Sequence, residues 1–144
     1  MAPILFAKAI LAGEPIKVFN HGKMQRDFTY IDDIVEGVLR CCDKPASPNP
    51  DFDPLQPDPA TAAAPHRVFN IGNSQPVELL RFIEVLEQAL GREAIKDFQP
   101  MQPGDVMATA ADTKALEDWV GFKPSTLLEI GIEKFAAWYI SRCE

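Results

Sequence analysis

Residues 16–33 read IKVFNHGKMQRDFTYIDD, and the reading of this stretch decides the rest. Ile16 to Asn20 alternates in side-chain type and is rich in residues that suit a pleated surface, so it predicts a strand. Gly22 falls in a turn, and Arg26 to Tyr30 is the expected return strand of a hairpin. At Ile31 the apolar period changes from two to about 3.6, which predicts a helix with a buried stripe of Ile34, Val35, Val38, Leu39 and Cys42. Asp32 or Asp33 is placed to cap that helix, since a short carboxylate accepts the orphan N–H groups of a first turn and meets the positive end of the dipole. The hairpin tip carries His21, Lys23 and Arg26, although the chain has 21 acidic and 14 basic residues and a net charge of −7. A basic turn on an acidic protein favours a small anion such as a phosphate, while the global field repels polyanions. A solvated tip satisfies the same charge pattern.

Upstream, residues 3–12 form a short amphipathic helix with Pro3 in its first turn, closed by Gly13. Downstream, residues 43–65 hold seven of the thirteen prolines and little apolar bulk, which predicts a long loop that no helix or ladder crosses. Phe52 and Leu55 are expected to tack it to the surface. Arg67 to Ile71 is expected as a strand, followed by a Gly-Asn-Ser turn and a helix with Pro76 in its first turn. That helix has a broad face of Leu79, Leu80, Phe82, Ile83, Leu86, Ala89 and Leu90 and stops at Gly91. A further strand over residues 94–99 leads to a proline-bracketed turn at residues 100–105. Asp112 is expected to cap a short helix through Trp119, closed by Gly121, and a last helix from about Thr126 to Ser141 is expected to bury Leu128, Ile132, Phe135 and Tyr139.

Composition narrows the functional classes. At 144 residues and 47% hydrophobic, the chain has material for one domain or one piece of a larger one. The charge balance argues against a nucleic-acid partner, and no apolar run reaches the roughly 20 residues of a membrane span. A cytoplasmic location is expected. Cys41, Cys42 and Cys143 make neither a disulfide framework nor a zinc site, and His21 and His66 lie in unrelated contexts, so no metal is expected.

In order along the chain, VFNHGKMQRDFTYIDDIVEGV, RVFNIGNSQPVEL, MQPGDVMATAADT and GFKPSTLLEIGIEKFAAWY resemble the C-terminal half of nucleotide-sugar epimerases and dehydratases of the extended short-chain dehydrogenase/reductase group. They are most similar to UDP-glucuronate 4-epimerases. The resemblance covers essentially the whole chain, and it includes the long proline-rich insert.

It implies a mixed α/β fold of short strands with about four to five helices, a single substrate-binding fragment over residues 1–144 with its proline-rich loop at 43–65, and an absent Rossmann half. It also implies that RDFTYIDD and RVFNIGN, each with its helix, belong spatially with that absent half. In such enzymes a glycine-rich turn binds NAD, and a Tyr-x-x-x-Lys pair takes a proton from the sugar hydroxyl as hydride moves to the cofactor. Neither motif is present here: Tyr30 and Tyr139 are followed four residues later by Ile34 and Cys143. The implied activity is therefore that of a UDP-glucuronate to UDP-galacturonate 4-epimerase that uses NAD in its full-length form. The fragment alone is expected to bind no cofactor, to carry no catalytic residue and to be inactive.

By the same resemblance, backbone groups at Lys17 and Phe19 read the uracil edge, with the Phe19 ring beside the base. Arg26 pairs with the diphosphate, where a guanidinium offers several charge-assisted donors. Gln102 and Asp105 lie on the turn that holds the ribose, with Asp105 accepting from a hydroxyl. Many relatives have arginine at the position of Gln102, which leaves more of the diphosphate charge to Arg26; His21 and Lys23 contribute field at the rim. The expected partners are a UDP-sugar and the missing Rossmann half, with self-association through exposed apolar surface. A stand-alone UDP-binding module, a dehydratase fragment and a non-binding remnant are the competing readings.

Overall fold

The computed structural model describes residues 2–143; Met1 and Glu144 lie outside the described residues, as do the side chains of Ala2 and Cys143. The fold is mixed α/β, with five α-helices and four short strands among the described residues. The chain divides into two compact units. One holds the described residues up to Phe28, Gln75–Ala110 and those from Thr126 onward; the other holds Thr29–Ser74 and Ala111–Ser125.

The first unit is built on α1 (Ala2–Ala12), α3 (Leu79–Leu90) and α5 (Leu128–Cys143) around strand β1 (Pro15–Val18). The apolar spacing of α3 puts Phe82, Ile83 and Leu86 wholly out of solvent, packed with Ala7 and Ile10 of α1, Ile16 and Val18 of β1, and Ile132 and Ala136 of α5. Both ends of α3 follow from sequence. Gly91 takes the left-handed conformation at φ 64° and its N–H bonds the last carbonyls, a position that favours a residue without Cβ. Its start is later than the sequence suggests: Pro76 lies not in the helix but in strand β3 (Pro76–Glu78), and the helix begins at Leu79.

The hairpin is not formed. β1 pairs in parallel with β4 (Ile95–Phe98), with Val18 opposite Phe98, and β2 (Gln25–Asp27) pairs antiparallel with β3, with Arg26 opposite Val77. Between β1 and β2 the chain makes a tight turn over Phe19–Gly22, with Asn20 at φ 48°, His21 at φ 51° and Gly22 at φ 80°. Each strand takes a distant partner instead, so no ladder forms between β1 and β2. The return strand also stops at Asp27, short of the expected Tyr30. Phe28, just past it, stacks on Phe82 with centroids 4.6 Å apart and planes 9° from parallel.

In the second unit α2 (Ile31–Asp43) and α4 (Lys114–Val120) are joined end to end by polar contacts. Lys44 Nζ donates to the Trp119 carbonyl and the Trp119 indole N–H donates to the Lys44 carbonyl. The Lys44 ammonium and Arg67 guanidinium both lie 4.5 Å from the Trp119 ring centre. Arg40 donates to the Gly121 carbonyl, so cations meet the negative end of α4.

Three expectations fail in this unit. The cap of α2 is Tyr30, with Asp32 and Asp33 inside the first turn; Asp33 Oδ2 accepts from the Ser125 N–H. The expected buried stripe of α2 is largely on the outside, with Val38 55% and Leu39 54% exposed; the buried position is Gly37, against the Ile71 side chain. Arg67 to Ile71 forms no strand: Arg67 makes one isolated bridge to Thr61, and no strand within the unit is available to extend it.

The proline-rich loop crosses the surface without helix or ladder, as its composition dictates. It is shaped by Asn49, Asp53 and Asp58, whose side-chain oxygens each accept the N–H two residues on. The Asp53 turn pushes Leu55 outward, 89% exposed, so Leu55 does not tack the loop down; Phe52 is half-buried. The helix of RVFNIGN, α3, belongs with α1, β1 and α5, whereas that of RDFTYIDD, α2, lies in the other unit.

Candidate nucleotide-binding face

All five residues singled out from sequence, Lys17, Phe19, Arg26, Gln102 and Asp105, fall in the first unit. Lys17 lies on β1, a strand whose Ile16 and Val18 side chains point into the core while Lys17 is exposed. The Val18 carbonyl accepts from the Gln99 N–H at 3.0 Å on the β4 side. In a trans peptide the next N–H points the opposite way, so the Phe19 N–H faces away from β4. The parallel register, with Val18 opposite Phe98, turns the Lys17 carbonyl to that same side. No third strand covers this edge among the described residues. The result is one acceptor and one donor, side by side on an open strand edge, with the half-buried Phe19 ring next to them.

Arg26 stands on β2. Its guanidinium donates to the Gln25 carbonyl at 2.8 Å and to the Met107 carbonyl at 3.5 Å. Carbonyls orient a guanidinium without neutralising it. The described ion pairs are Arg40–Glu36, Arg81–Glu84, Arg81–Glu129, Lys96–Glu87 and Lys114–Asp118; none involves Lys17, Lys23 or Arg26, so the charges of this face stay available to an anion.

Gln102, Pro103, Gly104 and Asp105 form a turn closed by the Asp105 N–H on the Gln102 carbonyl at 3.2 Å. Proline second and a glycine at φ 87° third are the demands of a type II turn. Gln102 is exposed and Asp105 half-buried. The segment after it is stitched to β2: the Gln25 N–H donates to the Met107 carbonyl (2.8 Å), and the Thr109 N–H donates to the Gln25 carbonyl (3.2 Å). Arg26 and the Asp105 turn are thus held by one backbone connection. At the other end the same segment starts from Gln99, which bonds β1 through the Val18 carbonyl and the turn through the His21 N–H. Residues 99–109 tie the strand edge and the arginine together. A cleft of about 390 Å³ lined by Lys23, Met24, Gln25, Glu78, Leu80 and Met107 borders this region.

The role of Gln25 was not legible in the sequence, because its backbone does the work and any non-proline side chain would allow it. Asn20 carried a faint signal, since asparagine tolerates the left-handed region better than most residues.

Among the described residues no group of His, Cys, Asp and Glu is arranged to hold a metal ion, and no helix is long and apolar enough to cross a membrane.

Residues 2–72 match the model of the NAD dependent epimerase/dehydratase family. It is 48% identical over 140 residues to "Protein CapI" of Staphylococcus aureus, covering 97% of this chain and 42% of that protein. It is 46% identical over 143 residues to a "Probable UDP-glucuronate 4-epimerase" of Rhizobium meliloti, covering 96% of this chain and 41% of that one. Among solved structures, a UDP-glucuronic acid 4-epimerase from Bacillus cereus in complex with UDP-glucuronic acid and NAD superposes with a TM-score of 0.75 at 28% identity, over 100% of this chain and 40% of that one. The chain spans about two fifths of the length of the relatives it matches.

Proposed function

We propose that this chain supplies the UDP-binding wall of a nucleotide-sugar 4-epimerase, acting on UDP-glucuronate. The observation that carries the reading is the open β1 edge at Lys17 and Phe19, tied through residues 99–109 to an arginine with no carboxylate partner among the described residues. An acceptor beside a donor complements the imide edge of uracil, where N3–H donates and a ring carbonyl accepts. Arg26 grips the diphosphate oxygens, and Asp105 accepts from a ribose hydroxyl, with Gln102 as a neutral neighbour. The glucuronate specificity rests on the likeness to UDP-glucuronate 4-epimerases.

NAD supplies the oxidation and re-reduction at the sugar's C4 in such an enzyme, and the residues of this chain do not fit it. A dinucleotide pyrophosphate needs a glycine-rich turn leading into a helix N-terminus. β2 and β3, the strands that run into helices here, do so through Phe28-Thr29-Tyr30 and directly at Leu79, without glycine. We assign this chain the tasks of holding and orienting UDP, with no catalytic residue of its own. The exposed apolar face of α2, with Ile31, Val35, Val38 and Leu39, is assigned to packing against the NAD-binding portion of the fold, and in its absence to self-association.

Calorimetric titration of the chain with UDP tests the reading. Weak binding that Arg26→Ala removes is expected. An Arg26→Ala chain that binds UDP as the parent does overturns the assignment of Arg26.

A further inference from the structure

The turn between the strand edge and Arg26 is conformationally costly. Asn20 (φ 48°, ψ 35°) and His21 (φ 51°, ψ 29°) are successive non-glycine residues in the left-handed region, which side chains bearing Cβ disfavour. Such a cost persists only where the surroundings hold it, and it gathers at working sites. Here the holders are identifiable. The Asn20 side-chain amide donates to the Lys23 carbonyl at 2.8 Å, and the Lys23 N–H returns to the Asn20 carbonyl at 2.9 Å. The His21 N–H donates to the Gln99 carbonyl at 3.1 Å. That last bond shows which way the chain goes: it coils toward β4, leaving the opposite edge of β1, with the Phe19 N–H and Lys17 carbonyl, uncovered. Two right-handed residues at 20 and 21 would coil in the opposite sense.

We infer that Asn20 is a positioning residue of the nucleotide face: it touches no ligand, and it holds the left-handed turn that keeps the base-reading edge open. The inference rests on the UDP reading above and adds to it a residue and a cause. It separates two glycine-like properties. Asn20→Gly keeps easy access to the left-handed region and loses the amide; Asn20→Ala loses both.

The experiment uses ¹⁵N-labelled chain and three probes, UDP, uridine and inorganic pyrophosphate, with amide exchange as a readout that needs no ligand. Asn20→Ala is expected to weaken UDP and uridine about five- to tenfold and to leave pyrophosphate, which meets Arg26, within about twofold. Asn20→Gly is expected to stay within about twofold of the parent for all three. In parallel, the His21 amide is expected to be protected in the parent and in Asn20→Gly, and to exchange at least about tenfold faster in Asn20→Ala. Equal losses for uridine and pyrophosphate in Asn20→Ala indicate general loosening and overturn the inference. A His21 amide as protected in Asn20→Ala as in the parent overturns it too, whether or not any probe binds. A parent chain that binds none of the probes yet shows the expected exchange pattern instead overturns the UDP reading and keeps the role of Asn20 in the turn.

Discussion

The Gln25 N–H donates to the Met107 carbonyl at 2.8 Å, across 82 residues of sequence, and the Gln25 carbonyl accepts from the Thr109 N–H. This pair of bonds fastens the Asp105 turn beside Arg26 and uses no side chain. Gln25→Pro removes the donor and forces φ, so a loss of about 1–3 kcal/mol is predicted. Chemical denaturation reads the stability, and exchange of the Thr109 amide reads the stitching. Gln25→Ala leaves both backbone groups in place and is predicted to lie within about 0.5 kcal/mol of the parent; a large loss for alanine sinks the backbone account.

Gly22 stands where a Cβ would lie 2.6 Å from Leu80 Cγ, at φ 80°. Two penalties coincide there, a left-handed backbone and a collision with a packed side chain. Gly22→Ala is predicted to cost about 2–4 kcal/mol. The double variant Gly22→Ala with Leu80→Ala separates them, because shortening Leu80 removes the collision and not the backbone term. Denaturation midpoints showing no recovery in the double variant relative to the two single ones would mean that the collision is absent.

Phe82 is fully buried and stacked on Phe28. It therefore links the core of the first unit to the end of β2, one residue beyond the strand that carries Arg26. Phe82→Ala is predicted to destabilise by about 3–5 kcal/mol. Phe28→Ala, at the half-buried member of the pair, is predicted to cost less. A thermal melt of the two variants orders them, and the reverse order contradicts this account of the core.

Several of these relations were legible in the sequence and others were not, for physical reasons. The apolar spacing of residues 79–90 and 128–140 marks buried helix faces wherever their partners come from. Gly91 and Gly121 end their helices because each must adopt positive φ, and both do. Strand pairing is different: β1 finds β4 eighty residues away, and the alternation of IKVFN says nothing about which partner satisfies it. The nearness of RDFTY favoured a hairpin, but β2 pairs with β3 instead. The stripe on α2 has the right period, but period reports that a face is apolar and not that something covers it. At the site, charge pointed to Arg26 and the resemblance to Lys17, Phe19, Gln102 and Asp105. What the chain's own geometry adds is the open edge, and with it Asn20.

The uncovered α2 face gives a prediction of association. Ile31, Val35, Val38 and Leu39 lie on one side of the helix, each about half exposed or more. An apolar strip of that kind drives contact with another surface. Val38→Lys with Leu39→Glu is predicted to lower self-association, read by sedimentation across a concentration series, with stability changed by less than about 0.5 kcal/mol. A parent chain that stays monomeric across the series contradicts the prediction.

Acid sensitivity follows from one exposed pair that joins α3 to α5. The Glu129 carboxyl is held below the usual carboxylate range, first by its own backbone N–H and then by the hydrogen bond from Arg81 at 2.9 Å. Arg81 is raised in turn, chiefly by Glu129 and also by Glu84. A carboxyl lowered on folding contributes its stability fully above the pKa of the unfolded chain and loses it as pH falls through the lower folded value. Glu129→Gln is therefore predicted to reduce the urea midpoint slightly at neutral pH, because solvent screens an exposed pair. The gap between parent and variant is predicted to shrink as pH drops below the carboxylate range. Midpoints measured at neutral and acid pH decide it, and a gap that widens on acidification would reverse the sign and remove Glu129 from the account.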